Sequence, residues 1–448
     1  MYRTRAAVVV AAGAVLVACA TGGRGARTSG PVPVDLTALE AQRAQQPNDP
    51  ALNLRLARAY YAADRFADAR RALGIVLTQQ PGNNVARAYL GFTYEGLEQF
   101  DSARAVYTGL LAAKPRGEVG RLLSGRLALL SRHELHVRAR QAIARESELS
   151  RTPPDPNTIA VMPFRYTGSD SSLRPLERGL ASLVVTDLSR VSRLKLVERE
   201  RLQALLDELR LAASGRVDTA TSARSGRLIG AGQVVQGQFQ EVPTANFRID
   251  AATVRASDAQ VAATGSGQDQ LRALFDIEKS VVFQLLRKMN VPVTPAESVA
   301  ISERPTRDLQ AFLLYSRGLE ARDRGNYGAA SLNFRAAAQR DPSFSQASQQ
   351  AQSSSDAAAA STTPETNVAS AVGGGSEAPA AGVGGTTQTL TSAINSAVPS
   401  GAGLVTPTNP VDVTKPPTDP GRICEAANCE GPTRPTLIGT LIIIIQRP

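Results

Sequence analysis

Two histidines, three cysteines and one pair of closely spaced glutamates are the residues whose types and spacing in this chain suit chemistry. His133 and His136 stand in "RHELH" and are the only histidines. On a helix the two share a face and suit weak metal binding, but a zincin needs its second histidine one residue later. The plainer reading is a polar helix. With no further histidine, a Ser-His-Asp arrangement has nowhere to form. Glu198 and Glu200 flank Arg199 and have the types of an acid–base pair. Carboxylates beside arginine at a strand end more simply form ion pairs. Gly230, Gly232 and Gly237 in "GAGQVVQG" lack dinucleotide spacing and precede a strand, and no phosphate loop ending in Gly-Lys-Ser/Thr occurs. These residues predict a non-enzyme with no metal and no cofactor, whose work is recognition.

The cysteines set the compartment. Arg3 and Arg5 precede an apolar stretch from Ala6 to Ala18. A charged start, a short apolar core and small residues before a break match a secretory signal peptide over residues 1–18. The stretch is too short for a spanning helix of ~20 residues. Leu16-Val17-Ala18-Cys19 resembles a bacterial lipobox. That resemblance implies cleavage before Cys19 and lipidation of its thiol. Ala20, where an inner-membrane retention signal carries Asp, favours the outer membrane. Residues 19–35 are small and polar and read as a tether. Cys424 and Cys429 frame "CEAANC", and an oxidising compartment makes a small disulfide loop plausible. The net charge of +10 suits an anionic partner. Export removes nucleic acid from the candidates.

The elements that position these groups begin with a repeat. Pro47, Pro81 and Pro115 recur every 34 residues. Leu56, Ala57, Tyr60, Phe66, Ala69 and Leu73 in one block match Leu90, Gly91, Tyr94, Phe100, Ala103 and Tyr107 in the next. Small residues at helix crossings on this period resemble tetratricopeptide repeats, here over residues 36–150. The segment "LTALEAQRAQQ" reads as the last helix of a half repeat, and residues 118–150 as a capping helix with a polar outer face. The resemblance implies a concave groove that takes peptide segments. Its lining falls on Leu54, Arg58 and Tyr61 in one repeat and on Ala88, Phe92 and Glu95 in the next.

Residues 156–292 change character. Short apolar runs alternate with helical periodicity in the order β-α-β-α-α-β-β-β-α, which predicts a mixed sheet with helices packed on it. "IAVMPF", "LASLVVTDLSRVSRLKLVERERLQALLDE" and "RLIGAGQVVQGQF" carry a resemblance to the curli production assembly/transport component family. Relatives of that family include lipoprotein activators of penicillin-binding proteins and the amino-terminal domain of the Tol-system periplasmic protein. The motif residues are Val197, Glu198 and Arg199, with Gly230 and Ala231 before a strand.

A further repeat-like hairpin is predicted over 305–345, with Gly318, Ala321, Tyr327, Ala330, Phe334, Ala337 and Pro342 at the earlier offsets. Residues 346–420 are Ala-, Ser-, Gly-, Thr- and Pro-rich and predict a disordered linker. The tail over 421–448 ends in "TLIGTLIIIIQRP", a strand that needs pairing within or between chains. The fold class is thus multidomain: all-α repeats, an α+β mixed-sheet domain, then a helical hairpin and a disordered tail. The function expected is an outer-membrane-anchored periplasmic lipoprotein, a scaffold or regulator in envelope biogenesis or curli-type assembly and secretion. Its partners would be periplasmic or outer-membrane proteins. The alternative is a subunit of a curli-type secretion channel. That alternative needs spanning hairpins, yet "EVPTANF" and "RASDAQ" are short, Leu211–Thr221 shows no alternation, and Trp is absent from the aromatic 4%.

Overall fold

A computed structural model describes residues 36–209, 218–243 and 247–373. The signal peptide, Cys19, the tether, the Cys424–Cys429 loop and the terminal strand lie outside the described residues.

The first helices are α1 (Leu36–Gln45), α2 (Pro50–Ala62), α3 (Phe66–Gln79), α4 (Asn84–Gly96), α5 (Phe100–Ala112) and the long α6 (Glu118–Ala144), followed by the single turn α7 (Glu146–Leu149). Asp49 caps α2 by accepting from the Ala51 and Leu52 amides, and Asn83 caps α4 from the equivalent place. The hairpins then turn at a fixed offset on left-handed residues, Asp64 at φ 56° and Glu98 at φ 55°. The repeat's small positions do what the period implies. A side chain at Gly91 would meet the Tyr107 ring at 2.4 Å, so only glycine lets α4 and α5 close. Leu56, Ala57, Tyr60, Ala69 and Leu73 are buried between the helices.

The sheet consists of β1 (Asp155–Val161), β2 (Arg165–Tyr166), β3 (Lys195–Leu196), β4 (Ala231–Gln240), β5 (Phe247–Arg255) and β6 (Val261–Asp269). Its order is β3-β1-β4-β5-β6, with β2 also on β4. β1 is parallel to β3 and β4, while β4, β5 and β6 run antiparallel. The apolar run "IAVMPF" stays in β1 only as far as Val161. Pro163 follows, and the chain re-enters the sheet as β2. Between the strands lie α8 (Leu176–Leu188), α9 (Arg199–Glu208) and α10 (Thr219–Ile229). Gly230 takes φ 73° as the left-handed cap of α10, which explains the Gly-Ala step before β4.

β1 is apolar on both faces. Ile159 and Val161 join the core under α8 and under α11 (Leu274–Lys288), whereas Ala160 and Met162 pack with α9, α10 and the end of α6. Burial on both sides is what a continuous apolar run in a central parallel strand requires. The carboxyl half of α6 therefore lies against α9 and α10, which cover this face of the sheet, with Val137 and Ala139 buried. It is not the solvent-faced cap expected from its polarity.

α12 (Pro295–Ser302) leads to the predicted hairpin, α13 (Leu309–Asp323) and α14 (Tyr327–Arg340), which turns at Gly325 with φ 76°. The hairpin shares the core of the sheet domain. Phe275 meets Phe312 at 5.3 Å, and Gly179 on α8 leaves space for Ser316, which a side chain there would approach to 2.1 Å.

The disordered linker expected from residue 346 needs correction over its first part. α15 (Ser345–Thr362) and α16 (Glu365–Val372) are helices, and Ala347, Ala357, Ala360, Val368 and Ala369 are buried. Alanine is the best helix former, and a stripe of small side chains packs where large ones cannot fit. α15 packs along α6, with Ala360 and the Asp356 carbonyl against Gly125. Gly125 follows Gly91 by one repeat, so α15 stands where the second helix of a third repeat would stand. No helix among the described residues is long and apolar enough to cross a membrane.

Candidate functional site

All six predicted groove residues lie on the inner helices of the repeats, Leu54, Arg58 and Tyr61 on α2 and Ala88, Phe92 and Glu95 on α4. Their aromatic rings form one cluster: Tyr61 is 6.0 Å from Tyr89 and 6.1 Å from Phe92. Arg58 stacks over Tyr89 at 5.5 Å. Leu54, Ala88 and Phe92 are buried rather than open to solvent.

The residue that organises this surface is Arg126 on α6. It follows Phe92 by one repeat and Arg58 by two, so extending the 34-residue period one step further identifies it. Its guanidinium lies over the Phe92 ring at 5.2 Å and donates to Glu95 Oε2 at 2.8 Å. Tyr107 donates to the other Glu95 oxygen. Burial opposes the Arg126 charge, but Glu95, Tyr107 and Glu365 together hold it well above the ordinary arginine range. Burial also pushes the Tyr61 hydroxyl up, reinforced by Glu365. The site is thus an aromatic floor with two cations stacked on it, Arg58 over Tyr89 and Arg126 over Phe92.

The motif residue Arg199 anchors a second constellation, where the sheet domain meets α6 and α13. Arg199 Nη1 donates to both oxygens of Asp323 at 2.8 and 2.9 Å, and the two side chains are only 10% and 5% exposed. Arg178 lies 3.3 Å from the same carboxylate. Arg132 on α6 donates to the Arg322 and Asp323 carbonyls at 3.2 and 2.9 Å, satisfying the end of α13. Glu200 pairs with Arg199 and Arg322. Partial burial works against its charge, yet the two arginines keep its carboxyl below the usual range. Glu200 is thus an ion-pair partner of Arg199 and Arg322. Asp323 had no sequence signal, because its partner is 124 residues away. Arg132, Glu198, Glu200, Arg322 and Asp323 border a 270 Å³ cavity that His136 and Asp207 also line.

The histidines are not brought together on a metal site. His133 is exposed beside the Phe100 ring at 5.5 Å, and His136 Nδ1 is 3.0 Å from Glu208. Among the described residues no group of three His, Cys, Asp or Glu could hold a metal ion.

A buried triad between α8 and α11 confers a pH dependence. Lys279 donates to Asp187 and lies 3.5 Å from Glu278 Oε2. Burial pushes the Asp187 carboxyl up to about 6, against the pull of Lys279. Burial, then the Asp187 charge, pushes Glu278 well above its ordinary value. A raised carboxyl favours folding most when protonated. This contribution is complete below pH ~4 and is lost as pH rises through about 6. The unfolding free energy should fall over that window, with part of the fall continuing above it through Glu278. Glu278→Gln should flatten the slope and stabilise the protein at pH 7.5 by about 1–3 kcal/mol. Urea titrations at pH 5 and 7.5 measure it, and a slope unchanged in the variant would contradict it.

The family model of Curli production assembly/transport component CsgG matches residues 140–241. The matched span takes in the end of α6, then α7, β1, β2, α8, β3, α9, α10 and β4. It contains both motifs that carry the resemblance, Val197-Glu198-Arg199 and Gly230-Ala231, and it stops before β5, β6 and α11. No curated protein matches the chain.

Proposed function

We propose, from the curli-family domain at residues 140–241, that the chain is a protein-binding component of curli-type assembly or transport at the outer membrane. It acts as a lipid-anchored scaffold facing the periplasm, not as an enzyme. The repeats take one partner in the groove floored by Tyr61, Tyr89 and Phe92, and the sheet domain takes another. The observation that carries this reading is the family match itself, whose motif residue Arg199 also holds Asp323 and so joins the matched span to α13.

The links between strands favour a scaffold over a channel subunit. β4 and β5 are joined by residues 241–246, and β5 and β6 by 256–260. A spanning hairpin needs two strands of ~9–11 residues each. Anchoring then falls to Cys19. Cys19→Ser should abolish acyl labelling in cells and move the protein from the membrane to the soluble fraction. Unchanged fractionation of the variant would overturn the anchored reading.

A further inference from the structure

The repeat groove already holds a helix, and the helix belongs to the same chain. α16 packs across α4 and α6. Val368 and Ala369 are 0% and 1% exposed and share a core with Leu54, Ala88 and Phe92. Val372 packs at the edge of that core. Glu365 Oε1 lies 3.1 Å from Arg126 Nη1, so the first residue of α16 and Glu95 hold the same guanidinium from two sides. Gly373 ends the segment against Val85, where a side chain would come within 2.5 Å of a methyl group.

This helix is poorly built to stand alone. It has eight residues, below the length at which isolated helices persist, and no side chain caps its start at Pro364. Its apolar contacts are small: Val368 and Ala369 in the core, with Ala371 and Val372 at its edge. Only Thr363 and Pro364 separate it from α15, so its effective concentration at the groove is high although each contact is small. Such an occupant holds a site closed against weak ligands and yields to a better one.

We propose that α16 is a built-in occupant of the peptide groove, displaced by a partner helix of matching chemistry. The partner begins with a carboxylate for Arg126 and carries small or medium apolar residues three, four and seven positions later, as Glu365, Val368, Ala369 and Val372 do. This inference rests on the groove being a partner site, as proposed above.

A labelled, helix-stapled peptide of residues 363–373 is the probe, titrated by fluorescence anisotropy against the full chain. Val368→Asp with Ala369→Asp unseats α16 without touching α2, α4 or α6. That variant should bind the peptide at least tenfold more tightly than the wild type. Glu365→Lys changes only a side chain that is 37% exposed, so it tests the same point without burdening the fold. It should tighten binding about threefold. Adding Arg126→Ala to the double variant should weaken binding at least fivefold, which places the peptide in the groove. Equal affinities for wild type and both variants would overturn the occupant while leaving the groove a helix site. No binding by any form would overturn the groove reading as well.

Discussion

Arg199→Ala should lower the unfolding free energy by about 3–4 kcal/mol, because it strands a carboxylate that is already out of water. Asp323 is 5% exposed and receives both of its short hydrogen bonds from Arg199. Arg178 at 3.3 Å remains as a partial partner, which keeps the loss from being larger. Glu200 loses one of its two arginines in the same step. Arg199→Lys should recover only part, since one ammonium cannot hold both Asp323, reached by Nη1, and Glu200, reached by Nη2. Arg145→Ala is the control: its pair with Glu148 is 62% exposed on both sides, and its removal should leave the denaturation midpoint in place. Chemical denaturation of the three variants decides this. An Arg199→Ala midpoint equal to the wild type would mean that the junction does not hold the domain in place.

Gly125→Ala should destabilise by about 2–3 kcal/mol through overpacking. A methyl group there would stand 2.1 Å from the Asp356 carbonyl oxygen and 2.6 Å from Ala360 Cβ. The first contact is backbone, so α15 as a whole must shift. Gly74→Ala on α3 has nothing within 4 Å and should stabilise by about 0.5–1 kcal/mol, the ordinary gain from replacing glycine within a helix. Opposite signs for one chemical change separate packing from propensity. If both variants were stabilised, α15 would not close on α6.

What the sequence made legible was what repeats locally. The 34-residue period placed the hairpins, the small residues at helix crossings and the six positions on α2 and α4, because each is set by neighbours within one repeat. Carried one step further, the same period reaches Arg126. The order of strands and helices was readable from apolar periodicity, apart from β2, which pairs only after Pro163 interrupts the first strand. What escaped were contacts made across the chain. Asp323 looks like an ordinary helix-end acid until α13 meets α9. The Ala- and Ser-rich stretch after residue 345 lacks large apolar residues, so it suggested a linker, yet small side chains are what Gly125 on α6 admits. Glu365 and Val368 gain a role only once α16 lies on the repeats. Their burial depends on a surface more than two hundred residues earlier, as the separation of Arg126 and Glu365 by 239 residues shows.

Single-channel recording on the full chain, purified from membranes and reconstituted in planar bilayers, tests most directly whether this is an anchored scaffold. The strand links at 241–246 and 256–260 are each shorter than one spanning strand of ~9–11 residues, so the predicted record is a flat baseline from protein that remains bound to the bilayer. Stable unitary currents from a homogeneous preparation would contradict the scaffold and make the chain a channel subunit.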